Sequence, residues 1–177
     1  MRSYTTISST NIYNGQILSL RVDDVILPSG QKAQREVVTH GGAVAIVAIN
    51  SNGEYLLVKQ FRHAVGKSLY EIVAGGIDSG ETPEETARRE LQEEAGYYPQ
   101  KLIHLGGFYS TPGFSNEFLH FFMATELIAS PLRAEDTEEI EAIWIAKHEL
   151  IDMLRNGAIV DLKTIAAILY CLKYDES

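Results

Sequence analysis

The sequence predicts an α/β protein in which a mixed sheet is sandwiched between helices, with a small β segment preceding it at the N-terminus. Three observations favour this class. Short runs rich in valine and isoleucine are separated by turn residues, as is typical of strands. One strongly charged helical stretch interrupts the strands, and two further helical patterns follow near the C-terminus. Strands on both sides of a helix favour a layered arrangement.

Composition limits the class of protein further. The 177 residues, 45% of them hydrophobic, suffice for one packed domain with a minor N-terminal piece. The formal net charge of −9 argues against a nucleic-acid binder, because such proteins need a basic surface. No apolar signal region is present, and the longest apolar run, residues 43–49, is too short to span a bilayer. We therefore expect a cytoplasmic protein with no membrane partner, and a buried thiol at Cys171, the single cysteine.

Residues 1–40 are expected to form an N-terminal β segment, and residues 41–177 the main domain. The first fifteen residues are mostly polar and give few structural cues. Alternating apolar residues, a Pro-Ser-Gly turn and a second alternating run then predict a β-hairpin or meander over residues 16–40. One irregularity is expected near Asp23 and Asp24.

The main domain opens with two strands joined by an Asn-Gly turn. Residues 43–50 are short, apolar and rich in valine and isoleucine, which predicts a buried strand. Residues 54–61 form the returning strand, with Arg62 at its end. Residues 63–68 are expected to be a loop, and residues 69–74 lead into a pair of glycines.

Later elements alternate in the same way. Strands are expected over residues 101–108, 118–124 and 140–145, and helices over residues 147–156 and from Asp161 onward.

The stretch from Gly75 to Tyr97, GGIDSGETPEETARRELQEEAGY, is the most informative part of the chain. Thr82 is followed by proline and, three residues later, by Glu85, which predicts an N-cap and a capping box. Gly96 suits the left-handed conformation that ends a helix. The stretch is therefore predicted to be a glycine loop followed by a charged helix.

Carboxylates crowd one arc of this helix, at Glu90, Glu93 and Glu94, beside an apolar stripe suited to packing on a sheet. Like charges at this spacing destabilise a bare helix, and hard divalent cations such as Mg²⁺ or Mn²⁺ would neutralise them. Glu81 can reach the same place from the loop, either to bind metal or to hold the loop. The alternative interpretation is a solvated acidic face. Carboxylates beside a glycine loop suit metal-dependent hydrolysis of a phosphoanhydride.

The spacing of this stretch resembles the Nudix box. Gly75 is followed by five residues and Glu81, then by seven residues and the uninterrupted run RELQEEAG, which begins at Arg89. Tyr97 fills the final hydrophobic position, where it is a slightly unusual choice. The resemblance implies the same α/β/α fold and hydrolysis of a nucleoside diphosphate linked to another moiety.

The resemblance also implies the roles of particular side chains. Glu90 and Glu94 would be the main metal ligands, with Glu93 close to the same ions and the carbonyl of Ala74 a further ligand. Arg89 would orient one of these glutamates rather than touch substrate.

The flanks resemble the ADP-ribose pyrophosphatase branch of the Nudix proteins. The matching runs are KQFR at residues 59–62, EIVAG at residues 71–75, where many members carry proline in place of the valine, and Pro112-Gly113. This resemblance implies that Arg62 faces the diphosphate, the alternative being a surface arginine. It places Gly113 and Glu117 on the substrate side, although packing or loop structure would explain these residues as well.

In this branch the general base is a glutamate from the loop before the last strand, and Glu138 occupies that place. The alternative is a solvated acidic loop, with Glu93 acting as the base.

The same branch uses its N-terminal β segment to form a homodimer with exchanged strands, and some relatives stack adenine there on aromatic residues. This chain has no Trp, Tyr or Phe between Gln16 and His40. Arg35 would substitute by planar stacking, or recognition of the base would be looser.

Together these features predict Mg²⁺-dependent hydrolysis of ADP-ribose or a related ADP-sugar to AMP and a sugar phosphate. The alternatives are another Nudix activity, on FAD, a dinucleotide or a nucleoside triphosphate, and a non-catalytic nucleotide sensor. Such sensors normally carry a separate DNA-binding domain, for which this chain has no room.

Overall fold

A computed structural model of the protein describes residues 3–132 and 140–175. Over these residues the chain forms ten strands and three α-helices, which confirms the predicted mixed class. In chain order they are β1 (Thr5–Asn14), β2 (Leu18–Ile26), β3 (Lys32–His40), β4 (Ala43–Ala48), β5 (Tyr55–Arg62), β6 (Lys67–Glu71), β7 (Val73–Gly76), α1 (Pro83–Ala95), β8 (Tyr97–Tyr109), β9 (Phe118–Ala129), β10 (Glu141–Ile145), α2 (Lys147–Arg155) and α3 (Leu162–Asp175). None of the helices in this part of the chain is long and apolar enough to cross a membrane.

The chain divides into two units, of which the first consists of Met1–Gly42 and Phe108–Leu119. Strands β1, β2 and β3 form an antiparallel sheet in that order, so the predicted meander over residues 16–40 gains a further strand. Few cues in the sequence indicated β1, because all ten of its residues are exposed. The irregularity that we expected near Asp23 and Asp24 lies in the partner strand. The register of β1 shifts between Thr6 and Ser8, opposite Val25 and Asp24, and again between Asn11 and Tyr13, opposite Arg21 and Leu20, whereas β2 pairs regularly with β3.

The loop between β8 and β9 joins the first unit through main-chain hydrogen bonds to β3. The amide of Val38 donates to the carbonyl of Phe114 at 2.8 Å, and the amide of Asn116 donates to the carbonyl of Val38 at 3.2 Å. The side chain of Asn116 also accepts a hydrogen bond from the amide of His40 at 2.8 Å. No sequence pattern indicated this association.

The second unit consists of Ala43–Gly107 and His120–Ser177 and contains two sheets, with strand orders β7-β4-β9-β8 and β10-β5-β6. Strand β4 is buried along its whole length, as its uniformly apolar sequence predicted. The first four residues of β5 are also buried, because this strand has protein on both faces.

Strand boundaries differ from the prediction in several places, among them β9, which continues to Ala129 instead of ending at Ala124. Strand β8 begins at Tyr97 rather than Lys101, and it includes Pro99. Proline argues against a strand interior, but an edge strand tolerates it, and β8 lies at the edge of its sheet. The predicted loop over residues 63–68 contains a 3-10 turn, His63–Val65, and the start of β6.

Helix α1 packs its apolar stripe into the core of the second unit. Ala87 and Leu91 have no exposed surface, and Ala95 packs against the same cluster. Cys171 is also fully buried, as expected. The acidic arc of α1 is therefore held in place by burial of the adjacent apolar stripe.

We predict that Leu91→Ala lowers the free energy of unfolding by about 2–5 kcal/mol, since it removes a fully buried side chain and leaves a cavity. The matched control is Leu169→Ala in α3, whose side chain is 54% exposed and should cost about 0.5 kcal/mol or less. Urea denaturation measures both values. Equal losses for the two variants would contradict the burial of Leu91.

Candidate active site

Helix α1 begins with the capping box that the sequence predicted. The hydroxyl of Thr82 accepts from the amide of Glu85 at 3.3 Å, and the carboxylate of Glu85 accepts from the amide of Thr82 at 2.8 Å. Gly96, with φ of 77°, ends the helix in the left-handed conformation. Both ends of the helix that carries the acidic residues are therefore fixed as expected.

Arg89 links three glutamates of this segment. Its Nε and Nη2 atoms donate to Oε1 and Oε2 of Glu81, each at 3.0 Å. Its Nη1 atom donates to Glu90 at 2.7 Å and to Glu93 at 3.0 Å. The interpretation that Arg89 orients glutamates of the box is confirmed by these contacts.

Glu81 holds the loop rather than pointing to an open site. Hydrogen bonds from Arg89, and a further one from the hydroxyl of Thr86, lower the pKa of Glu81 to about 2. A carboxylate already saturated by a guanidinium is a poor candidate for an additional cation. Of the two roles left open by the sequence, these contacts favour the one in the loop.

Glu90 lies directly against the backbone of β7. Its side chain is only 12% exposed, and a Cβ atom placed on Gly75 would overlap its carboxylate. Next along the helix, Oε2 of Glu94 accepts from the amide of Ala74 at 3.4 Å. The two carboxylates thus meet the strand at Ala74 and Gly75, where the sequence requires glycine for close approach.

The protein disfavours the ionised form of both carboxylates, since each has a raised pKa. Burial raises the pKa of Glu94 to about 8, and the charge of Glu90 adds to the effect, against a hydrogen bond from Ala74 and the charge of Arg62. Burial also raises the pKa of Glu90, and the charge of Glu93 contributes, although Arg89 opposes both. A cation at this place would favour the ionised form of each group.

The donor set suits a hard divalent cation. Among the described residues, no three His, Cys, Asp or Glu side chains already stand close enough to hold a metal ion, and Arg89 donates hydrogen bonds to Glu90 and Glu93. Mg²⁺ is nevertheless usually bound by one or two carboxylates, with water and substrate phosphate completing its shell. Glu90 and Glu94, with the carbonyl of Ala74 in the adjoining strand, fit that requirement.

Arg62 is paired with a buried carboxylate that the sequence analysis did not single out. Its Nε and Nη2 atoms donate to Oε1 and Oε2 of Glu71, each at 2.8 Å, and Glu71 is 1% exposed. The charge of Arg62 also lowers the pKa of Glu94, so the guanidinium lies near the acidic residues of α1. The sequence contained one signal for this pairing, because Glu71 is the charged residue in the otherwise apolar run at residues 69–74.

The remaining candidate substrate residues lie in the first unit. The guanidinium of Arg35 stacks over the ring of Tyr4, 5.2 Å from its centroid, so the residue just before β1 supplies an aromatic side chain that residues 16–40 lack. Glu117 accepts from the hydroxyl of Ser110 at 2.5 Å, and its other oxygen lies 3.8 Å from Nδ1 of His40. Gly113 lies in an exposed turn.

Glu138, the predicted general base, lies outside the described residues, so its role stays a prediction. Glu93, the alternative base, is held by its hydrogen bond from Arg89.

Comparison with known proteins identifies relatives over nearly the whole chain. The family model described as NUDIX domain matches residues 39–168, and the model described as nucleoside diphosphate sugar hydrolase N-terminal domain matches residues 4–38. An ADP-ribose pyrophosphatase of Bacillus subtilis (strain 168) is 38% identical over 167 residues, covering 93% of this chain and 90% of the relative.

Two further proteins, one matched by sequence and one by structure, resemble most of this chain. A methanol dehydrogenase activator of Bacillus methanolicus is also 38% identical over 167 residues, with the same coverage of 93% and 90%. A crystal structure of an ADP compounds hydrolase superposes with a TM-score of 0.88 at 18% identity, covering 98% of this chain and 95% of the other. The structural match supports the fold.

We predict that Gly75→Ala lowers the free energy of unfolding by about 1–3 kcal/mol, since the added methyl group overlaps the Glu90 carboxylate and forces the helix or the side chain to move. The matched control is Gly76→Ala, where a Cβ atom meets nothing within 4 Å and the change should be about 0.5 kcal/mol or less. Thermal or urea denaturation distinguishes the two. Equal stability of the two variants would contradict the close contact.

A second prediction concerns pH. The pKa of Glu94 is about 8 in the folded protein, against 4.5 ordinarily, so between these values the folded state binds a proton that the unfolded state lacks. The free energy of unfolding of the metal-free protein should therefore contain a contribution that falls as pH rises from about 5 to about 8.

Glu94→Gln should remove that contribution, while Glu84→Gln, an exposed change on the same helix, should retain it. Urea denaturation with a chelator at several pH values measures the slope. Identical slopes in the wild-type protein and Glu94→Gln would show that Glu94 does not titrate in this range.

Proposed function

The chain belongs to the Nudix family, and from this premise we propose that it hydrolyses the diphosphate linkage of ADP-ribose or a related ADP-sugar, giving AMP and a sugar phosphate. The substrate class is supported by the relative named ADP-ribose pyrophosphatase and by the match of the N-terminal strands to the nucleoside diphosphate sugar hydrolase model.

One observation of the structure carries the proposal. Glu90 and Glu94 are buried against Ala74 and Gly75 with raised pKa values, so their ionised forms lack a sufficient counter-charge in the metal-free protein. A diphosphate is itself negatively charged and would be repelled there unless a cation lies between them. The geometry is therefore useful for binding a diphosphate only together with divalent metal.

Enzymes of this family generally use divalent metal ions. We assign the metal here to Glu90, Glu94 and the carbonyl of Ala74, with Glu93 beside them, and we expect Mg²⁺, with Mn²⁺ as the alternative. When bound, the metal screens the charge of the phosphates and makes a coordinated water more acidic. Arg89 keeps Glu90 and Glu93 in position through its hydrogen bonds.

The substrate would be oriented by residues that do not hold the metal. Arg62 suits the diphosphate because a guanidinium grips two phosphate oxygens at once, and it lies near Glu94. Arg35 and Tyr4 together present a planar surface suited to stacking of a base. Gly113 and Glu117 are assigned to the same substrate on the strength of the family resemblance.

The general base is assigned to Glu138, with Glu93 as the alternative. Glu93 already accepts a hydrogen bond from Arg89, and this contact suits a residue that holds position more than one that receives a proton from water.

The N-terminal strands are assigned to a homodimer interface, and the protein to the cytoplasm. Strand β1 exposes several large apolar side chains, which a monomer would leave in contact with water. Those more than half exposed on this strand are Ile7, Ile12 and Tyr13.

Two alternative functions are compatible with the same site. Another Nudix activity would act on FAD, a dinucleotide or a nucleoside triphosphate, and a relative of equal identity is named as an activator of another enzyme. A nucleotide sensor would bind without cleavage, and the presence of Glu90, Glu93 and Glu94 together on α1 favours catalysis.

The proposal predicts that the protein with Mg²⁺ converts ADP-ribose to AMP and ribose phosphate, identified by product mass. A triphosphatase would instead release pyrophosphate from a nucleoside triphosphate. Absence of AMP from every ADP-linked substrate, with fully folded protein and saturating Mg²⁺ or Mn²⁺, would contradict the proposal.

Glu94→Gln should reduce the turnover number by about 100-fold or more, because it removes a charged metal ligand and leaves the fold intact. Glu84→Gln, exposed on the same helix, serves as the control and should retain the wild-type rate. Steady-state kinetics and thermal denaturation of both variants provide the comparison. A near-normal rate for Glu94→Gln at saturating Mg²⁺ would exclude the metal assignment.

A further inference from the structure

Lys163, in the first turn of α3, lies ninety-two residues from Glu71 in sequence yet shares the carboxylate that holds Arg62. We propose that Lys163 and Glu71 are positioning residues that fix the guanidinium of Arg62 for the substrate diphosphate. The proposal rests on the function assigned above, since it requires that Arg62 bind the diphosphate.

The carboxylate of Glu71 is divided between two cations. Its Oε1 atom accepts from Nε of Arg62, and its Oε2 atom accepts from Nη2 of Arg62, both at 2.8 Å. The same Oε2 atom accepts a hydrogen bond from Nζ of Lys163. Because Glu71 is 1% exposed, water contributes little to these interactions.

Lys163 is itself held from the other side. Its Nζ atom donates to Oδ2 of Asp161 at 2.9 Å, and that oxygen also accepts from the amide and hydroxyl of Thr164, at 3.0 and 2.6 Å. The hydroxyl of Thr164 in turn accepts from the amide of Ile72 at 3.0 Å. The start of α3 is thus tied to the strand segment that carries Glu71, so the ammonium group has a defined place.

This arrangement determines the direction of Arg62. A guanidinium bonded along its Nε–Nη2 edge has its plane fixed, and its Nη1 side then points in one direction. Both bonds to Glu71 use the Nε–Nη2 edge. Rotation of the carboxylate of Glu71 would rotate the guanidinium with it, and Lys163 opposes that rotation by holding Oε2.

Lys163 also sets the charge around Arg62. With Lys163 present, one buried carboxylate faces two cations, whereas without it Arg62 alone must neutralise Glu71. Loss of the positive charge of Lys163 would add one net negative charge close to Glu94, whose pKa already responds to the charges of Arg62 and Glu71. A negatively charged diphosphate would bind such a site less well.

The test is steady-state kinetics with ADP-ribose and saturating Mg²⁺. Lys163→Met should raise KM by about tenfold and leave kcat within about threefold, because it weakens binding without removing a group that touches the reacting atoms. Lys163→Arg, which retains the charge and the donors, should restore most of the lost affinity. The control is Lys101→Met, an exposed lysine of β8, which should leave KM unchanged.

A second readout does not depend on the substrate. The Nε–H resonance of Arg62, identified by its loss in Arg62→Lys, should shift and exchange faster with water in Lys163→Met and return toward its wild-type position in Lys163→Arg. Thermal denaturation establishes that each variant is folded. If Lys163→Met does not fold, Lys163→Gln, which also lacks the charge, carries the same expectations.

An unchanged KM or an unchanged Arg62 resonance in the folded variant would overturn the proposal, as would failure of Lys163→Arg to restore either quantity. The two proposals fail in distinguishable ways. Wild-type protein that releases no AMP contradicts the assigned function, while the Arg62 resonance still decides whether Lys163 positions Arg62.

Discussion

The contact between the carboxylate of Glu90 and the bare backbone of Gly75 is the constraint on which the rest of the site depends. A side chain at position 75 would occupy the space that the carboxylate now fills. The same helix buries Ala87 and Leu91 completely on its apolar side. The position of the acidic side chains is therefore set by core packing and by a single missing methyl group, rather than by attraction between the charges.

The acidic residues of this segment differ in how their charge is compensated. Glu81 receives hydrogen bonds from Arg89 and Thr86 and keeps a pKa of about 2, whereas Glu94 is buried with little compensation and has a pKa of about 8. Environment alone thus separates an acid that maintains the structure from one that is prepared to accept a cation. Arg89 contributes to this separation because it bonds Glu81, Glu90 and Glu93 but makes no hydrogen bond to Glu94 among those described.

Structural features that depend on contacts between residues close in sequence could be predicted from the sequence. Features that depend on contacts between distant residues could not. The ends of α1 followed from Thr82, Glu85 and Gly96, whose contacts span only a few residues. Strand β1 was missed because its residues are exposed on both faces and show no alternation.

The pairing of Glu71 with Lys163 joins residues far apart in the chain, and the stacking of Arg35 on Tyr4 joins β3 to the residue that precedes β1. Such contacts are decided by tertiary structure, and single-sequence patterns carry little information about them.

The hydrogen bonds between Val38 and the segment at Phe114 and Asn116 have a consequence for protein engineering. The first unit is assembled from two separate stretches of chain, and its second stretch is an excursion between β8 and β9. A chimaera that receives the N-terminal strands of a relative, but keeps this excursion, would combine partners that were never selected together. Transplanting both stretches at once would preserve their complementarity, and the same linkage implies that insertions or deletions in one stretch must be matched in the other during divergence.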